Sequence, residues 1–140
     1  MSPLKLLAED EADLQVISAA LQDAVGQIGD LAYEPSQRSL TMVFNRFRWE
    51  GDQKTGERVR TALQLGTVSA VRSRNLRRDD PKAIVNLLAI TFEPGDAPSG
   101  AVVLTFAGGA DMRVEVECID AVLADLGEPW PTPRRPHHDD

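Results

Sequence analysis

Histidine and cysteine are almost absent from this chain of 140 residues. Its two histidines, His137 and His138, stand close to the end of the sequence, and Cys118 is its single cysteine. General acid–base catalysis, nucleophilic catalysis and soft-metal binding rely mainly on these side chains. We therefore predict no catalytic residue, no metal site and no cofactor, which argues against an enzyme. One cysteine also excludes an internal disulfide, which is consistent with a reducing compartment.

Long apolar runs are missing as well. Nothing in the sequence approaches the roughly 18 consecutive apolar residues that a membrane helix needs. The first residues run directly into the acidic stretch from Glu9 to Asp13, so we expect no signal segment. Gly108-Gly109 is not a phosphate-binding loop, because no Lys-Ser/Thr pair follows it. These absences predict a cytoplasmic protein that does not enter a membrane.

Charge is distributed unevenly along the chain. The net charge is −7, yet residues 35–92 hold eleven lysines and arginines against five acidic residues. Both flanking regions are strongly acidic. Overall acidity makes nonspecific binding to DNA unlikely, whereas a local basic surface in the middle of the chain remains compatible with this distribution.

Apolar spacing predicts one helix near the N-terminus. Leu14, Ile17 and Leu21 recur at intervals of three and four residues, and Asp10 is placed to cap the helix. The period then changes to two, which indicates strands. The apolar parity slips after Phe44, where Arg46 falls on the apolar side, so we predict a bulge or a sharp coil near Phe44–Arg46.

The remaining pattern predicts an α+β fold dominated by antiparallel strands. Gly108-Gly109 marks a hairpin, and the spacing from Ile119 to Leu126 favours a short C-terminal helix that ends at Gly127. The absence of crossover helices argues against a parallel sheet. We expect about seven strands in a meander that form a barrel or sandwich, an arrangement similar to pleckstrin-homology-like domains. A curled sheet packed by both helices is the alternative.

The chain length fits a single globular domain, which we place at residues 1–127. Residues 128–140 hold four of the nine prolines and are predicted to form a disordered, Pro-rich tail.

Arginines in the middle of the chain are the strongest candidate binding residues. Alternate spacing puts the two members of each pair on one face of a strand. If these strands are neighbours, up to six guanidiniums would form a surface for a small anion or an acidic partner. The alternative is a solvated face neutralised by acidic side chains across the strands. The three pairs are Arg46 and Arg48, Arg58 and Arg60, and Arg72 and Arg74.

Trp49 is the second candidate. Beside Arg46 and Arg48, its ring would offer a flat surface for stacking on a ligand. Burial of Phe47 and Trp49 against the rest of the fold is the alternative interpretation, because large aromatic side chains mostly lie in a core.

Three groups of residues together resemble an uncharacterised, mostly alphaproteobacterial family known as domain-of-unknown-function family 2948. They are Leu21 to Val25, Asn45 to Glu50, and Leu104 to Gly109 together with Val116 to Ile119. The resemblance covers residues 4 to about 130 and implies a single cytoplasmic bacterial domain. It implies no activity, cofactor or catalytic residue.

The function predicted from these observations is a noncatalytic binding or protein-interaction module that uses a basic strand face. Its partner would be a protein or a small anionic ligand, and self-association through a sheet edge is also expected. A small enzyme, or an accessory subunit of one, that uses carboxylates and arginines is the first alternative. RNA binding through the basic strands and an exposed aromatic side chain is the second.

Overall fold

Helix α1 spans Glu11–Ala20 in the computed structural model, which describes residues 3–50 and 56–132. Asp10 caps the helix, because its carboxylate accepts the N–H of Asp13 at 2.8 Å. Leu14 and Ile17 are buried, so the predicted apolar face packs against the core. The N-terminal helix is therefore confirmed. No helix in the described ranges is long and apolar enough to cross a membrane.

The described residues also form nine strands, which make one open antiparallel sheet. Their order across the sheet is β1-β9-β4-β3-β2-β6-β7-β8-β5. The strands are β1 (Lys5–Ala8), β2 (Val25–Glu34), β3 (Ser39–Phe47), β4 (Glu57–Leu65), β5 (Val68–Arg74), β6 (Ile84–Pro94), β7 (Gly100–Phe106), β8 (Ala110–Val116) and β9 (Ala121–Pro131).

The connection between β4 and β5 requires this sheet to curl. Only Gly66 and Thr67 separate the two strands in the chain, yet β4 is third in the sheet order and β5 is ninth. The far edge must therefore bend back towards β4. Apolar side chains on the inner side of both halves share one core, which α1 joins through Leu14 and Ile17, and Leu21 directly after the helix packs there too.

The predicted C-terminal helix is wrong. Strand β9 occupies this region and pairs with β1 on one side and β4 on the other. Its side chains alternate, so that Leu123 is fully buried while Leu126 is 43% exposed. The strand count is also nine instead of seven. The two features that suggested a pleckstrin-homology-like fold are thus not found in residues 3–50 and 56–132.

The bulge predicted near Phe44–Arg46 is wrong as well. Strand β3 pairs with β4 in one unbroken register from Leu40 to Phe47, so Arg46 stays on the core side. Register shifts occur instead in β2, between Gly26 and Leu31, in β9, opposite residues 58–60 of β4, in β5, between Val68 and Ala70, and in β6, between Leu87 and Ala89.

The hairpin at Gly108-Gly109 is confirmed, since it joins the paired strands β7 and β8. Strand β9 continues through residue 127, where we placed the end of the domain, to Pro131. The rest of the predicted tail, residues 133–140, lies outside the described residues. The division into domain and tail stays a prediction.

Candidate functional site

Arg46 lies inside the fold and is fully buried. Its Nε and Nη2 atoms donate to both carboxylate oxygens of Asp125, at 2.9 and 2.8 Å. Its Nη1 and Nη2 atoms donate to Glu50 at 3.0 and 2.7 Å, and Nη1 also donates to the carbonyl of Phe47 at 3.3 Å. A guanidinium has five N–H groups, so these five hydrogen bonds leave none for an external ligand.

The pKa values of this group follow from burial and pairing. Burial disfavours the charged form of Arg46, but hydrogen bonds to Asp125 and Glu50 outweigh it and raise the pKa of the guanidinium. Burial would likewise raise the pKa of Asp125. Hydrogen bonds from Arg46 and from the N–H of Leu4 instead hold that pKa below its usual range. The hydrogen bonds from Arg46 also lower the pKa of Glu50. All three groups remain charged at neutral pH.

Arg48 and Trp49 also face the protein. Arg48 is buried, with its Nη1 bonded to Glu57 and its Nε 3.8 Å from Glu50. The Trp49 ring packs edge-on against Phe47, with 4.7 Å between ring centroids, and its Nε1 donates to the carbonyl of Gln22 at 3.4 Å. These contacts match the burial interpretation of this segment.

Arg58 and Arg60 point outward from β4. Arg60 is half-exposed, and its Nη2 lies 3.3 Å from Asp30. Arg58 is partly buried and donates to the carbonyl of Asn45 at 3.1 Å. Burial lowers the pKa of Arg58, and the charge of Asp23 opposes that shift only in part.

Arg72 and Arg74 lie on the other half of the sheet. They belong to the edge strand β5, whose sheet partner is β8, and their nearest carboxylates are Glu115 at 3.7 Å and Asp111 at 2.5 Å. The three arginine pairs therefore do not share one face. Arg46 and Arg48 are buried in ion pairs, and Arg58 and Arg60 lie on β4. Arg72 and Arg74 lie on β5, in the other half of the sheet.

Outward-facing residues of β1, β9, β4 and β3 instead form a surface that we call the outer face. An antiparallel sheet with one side on the core normally presents polar side chains on its other side. Here Leu7 is 62% exposed and small apolar side chains fill the centre. Register pairs place the members in four rows: Leu7, Val122, Gln64, Thr41; Lys5, Ala124, Ala62, Val43; Leu126, Arg60, Asn45; and Trp130, Arg58, whose register partner Phe47 is buried.

The charged residues in these rows are all basic: Lys5, Arg58 and Arg60. Their acidic neighbours are Asp30 of β2, which contacts Arg60, and Asp23, whose charge acts on Arg58. The sequence pattern does not reveal this surface, because four of its members lie on β9: Val122, Ala124 and Leu126 in the region predicted as a helix, and Trp130 in the predicted tail. The alternation of Val122, Ala124 and Leu126 with Leu123 and Asp125 is the signal that would have revealed it.

A groove of about 300 Å³ borders the outer face. It opens where β2 leaves β3. Gly26 pairs with Phe44 and Leu31 pairs with Met42, so four residues of β2 lie opposite a single residue of β3, Val43. Ile28 and Gly29 instead donate to the carbonyls of Ala83 and Pro81. The groove is lined by Val25, Gln27, Asp30, Val43, Asn45 and Arg60, among others.

Asn45 is the most unusual residue of this groove. Its Oδ1 atom is buried and has no hydrogen-bond partner among the described residues. A buried acceptor without a donor costs about 1–3 kcal/mol.

No group of three or more His, Cys, Asp or Glu side chains in residues 3–50 and 56–132 is arranged to hold a metal ion.

A family model described as "Protein of unknown function (DUF2948)" matches residues 4–138. The chain belongs to this family. Comparisons with curated proteins and with solved structures give no match. Membership in family 2948 confirms the resemblance seen in the sequence and brings no assigned activity, so the geometry of the outer face carries the functional argument.

Proposed function

We propose that this protein is a noncatalytic interaction module of the cytoplasm, whose outer face binds an acidic segment of a partner protein. The observation that carries the proposal is the combination of exposed apolar side chains with three basic residues on a chain of net charge −7. Apolar surface on a sheet face favours association, and basic residues around it favour a partner of opposite charge.

The size of the outer face favours a segment over a second folded copy. Four strands at about 4.8 Å and four rows at about 6.8 Å cover an area of roughly 500 Å². A stable interface between folded proteins buries about 800 Å² on each partner. A short acidic segment fits this area, whereas a dimer would need additional contacts. Self-association through a sheet edge would use β1 or β5, the edges of the described sheet, and is a separate proposal.

The burial of Arg46 and Asp125 argues against catalysis by these residues and favours a binding function. An enzyme that used the predicted carboxylates and arginines would need them accessible to a substrate. Arg46 and Asp125 are instead turned towards each other inside the fold. RNA binding would use the same basic residues as the proposal, so the experiment must separate the two.

Site-specific photo-crosslinking in cells tests the proposal. A benzophenone amino acid replaces Ala62 in the outer face, and Ala70 of β5 provides a matched, half-buried control position on the outward side of the other half. Mass spectrometry then identifies the crosslinked segment. We expect an adduct from position 62 but not from position 70, with the contact mapped to an acidic segment.

A charge-reversed variant completes the design. Arg58→Glu together with Arg60→Glu should abolish the adduct, because the basic residues attract the partner. Equal adducts from positions 62 and 70, an adduct that consists of RNA, or a crosslinked segment without acidic residues would each refute the proposal.

A further inference from the structure

The groove beside the outer face combines features that suit an extended acidic peptide, and this inference rests on the proposed function. Arg60 and Asp30 form a long contact at its mouth, 3.3 Å between Nη2 and Oδ2. Both side chains are more than one-third exposed, 47% for Arg60 and 36% for Asp30. An exposed ion pair of this kind contributes little stability, so an incoming carboxylate can replace Asp30 at small cost.

Asn45 supplies the second feature. Its carboxamide lines the groove next to Arg60, which is its register partner on β4. Rotation of this amide would turn the unpartnered Oδ1 towards the groove, where an N–H donor would satisfy it. Peptide backbones carry one such donor per residue, and alternate residues of an extended peptide point to one side.

The third feature is the gap in the sheet. Strand β2 bends away towards residues 81–84, so on its β2 side β3 lacks a regular strand neighbour beside Val43, while β4 pairs with Val43 on the other side. A volume of about 300 Å³ accommodates two or three residues of an extended chain, but not a helix, whose diameter is about 10 Å.

We propose that the groove anchors the acidic segment in an extended conformation, with a partner carboxylate on Arg60 in place of Asp30 and a partner N–H donating to Asn45. Lys5 and Arg58 lie on the same surface and attract further acidic side chains of the segment. The groove thus determines where the segment is fixed, and the rest of the outer face contributes apolar contact.

Binding of a synthetic probe tests this anchor. The probe is a fluorescein-labelled peptide of four Val-Glu repeats, measured by fluorescence anisotropy against four Val-Gln repeats. Asp30→Asn removes the internal competitor for Arg60 and should tighten binding about threefold, while Arg60→Gln should weaken it by about three- to tenfold. Asn45→Leu should weaken it about threefold. Arg72→Gln, an equally conservative change on β5, should have no effect.

The sign of the Asp30→Asn effect is the decisive result, because a purely structural role of the ion pair would not make binding stronger. Val43→Trp, which fills the groove without changing charge, should abolish binding of the probe. Circular dichroism confirms that each variant is folded.

Two outcomes would overturn the anchor and are distinguishable from failure of the proposed function. If substitutions of Asp30, Arg60 and Asn45 leave the affinity for the Val-Glu probe unchanged, the groove is not the anchor. The proposal that the outer face binds a partner is not affected by that result. No binding at millimolar probe would also refute the groove, whereas the crosslinking experiment at Ala62 would decide independently whether the outer face has a partner.

Discussion

Arg46 and Asp125 connect two strands that are not neighbours in the sheet. Arg46 lies on β3 and Asp125 on β9, with β4 between them, and the two side chains meet on the core side of β4. Both are nearly inaccessible to solvent, with side-chain exposures of 0% and 4%. The same guanidinium binds Glu50. Arg46 therefore links β3 to β9 across β4 and holds Glu50 at the same end of the sheet.

Removing Arg46 should destabilise the fold strongly. Arg46→Ala leaves the buried Asp125 carboxylate without its partner, which typically costs about 3–5 kcal/mol. Urea unfolding followed by circular dichroism measures the change. Arg60→Ala is the control, because loss of an exposed ion pair costs only about 0–1 kcal/mol. Similar losses for both variants would show that the buried pair has no special role.

Stability should fall in acid partly because of Asp125. Its folded pKa lies below its value in the unfolded chain, so the ionised carboxylate stabilises the fold above about pH 4. That contribution is lost as the pH falls through the lowered pKa, and Glu50 adds to the same trend. We expect Asp125→Asn to reduce the slope of unfolding free energy against pH below about pH 4. An unchanged slope would contradict the assignment.

Arg46 also shows where local sequence patterns fail. The alternation of Leu40, Met42 and Phe44 continues to Arg46, and a charge on the apolar side predicts a slip in parity. The strand is regular, because Asp125 and Glu50 satisfy the guanidinium within the fold. Asp125 lies 79 residues away in the chain. A pattern that covers ten residues contains no information about such a partner.

Local sequence patterns predict correctly the features that depend only on residues close together in the chain. The cap at Asp10 and the hairpin at Gly108-Gly109 depend on residues within four positions, and both are present. The outer face depends on which strands become neighbours. Gly66 and Thr67 allow β5 to leave β4 for the far edge, so Arg58 and Arg72 are separated although their strands follow one another in the chain.

The hairpin gives a prediction about backbone conformation alone. Gly109 has a φ of +78°, and a side chain there would meet no atom within 4 Å. Gly109→Ala should therefore cost about 1–2 kcal/mol through backbone strain, with no contribution from a clash. Gly109→Asn should cost less, because asparagine tolerates this conformation better. Thermal unfolding compares the two variants, and equal effects would exclude the conformational explanation.

Leu123 and Leu126 distinguish a strand from the helix that the sequence suggested. Residues three positions apart share one face of a helix but lie on opposite faces of a strand. A helix would make both truncations costly. In β9, Leu123 is fully buried and Leu126 is 43% exposed. Leu123→Ala should cost about 2–5 kcal/mol because it opens a cavity in the core.

Leu126→Ala, at the outer face, should cost less than about 1 kcal/mol. The two urea midpoints, measured side by side, decide the matter, and similar losses of stability would argue for a helix. The same Leu126 variant should weaken binding of the Val-Glu probe, because the lost side chain belongs to the surface proposed to receive the partner. A change in affinity without a change in stability would thus separate the role of the outer face in binding from the role of β9 in folding.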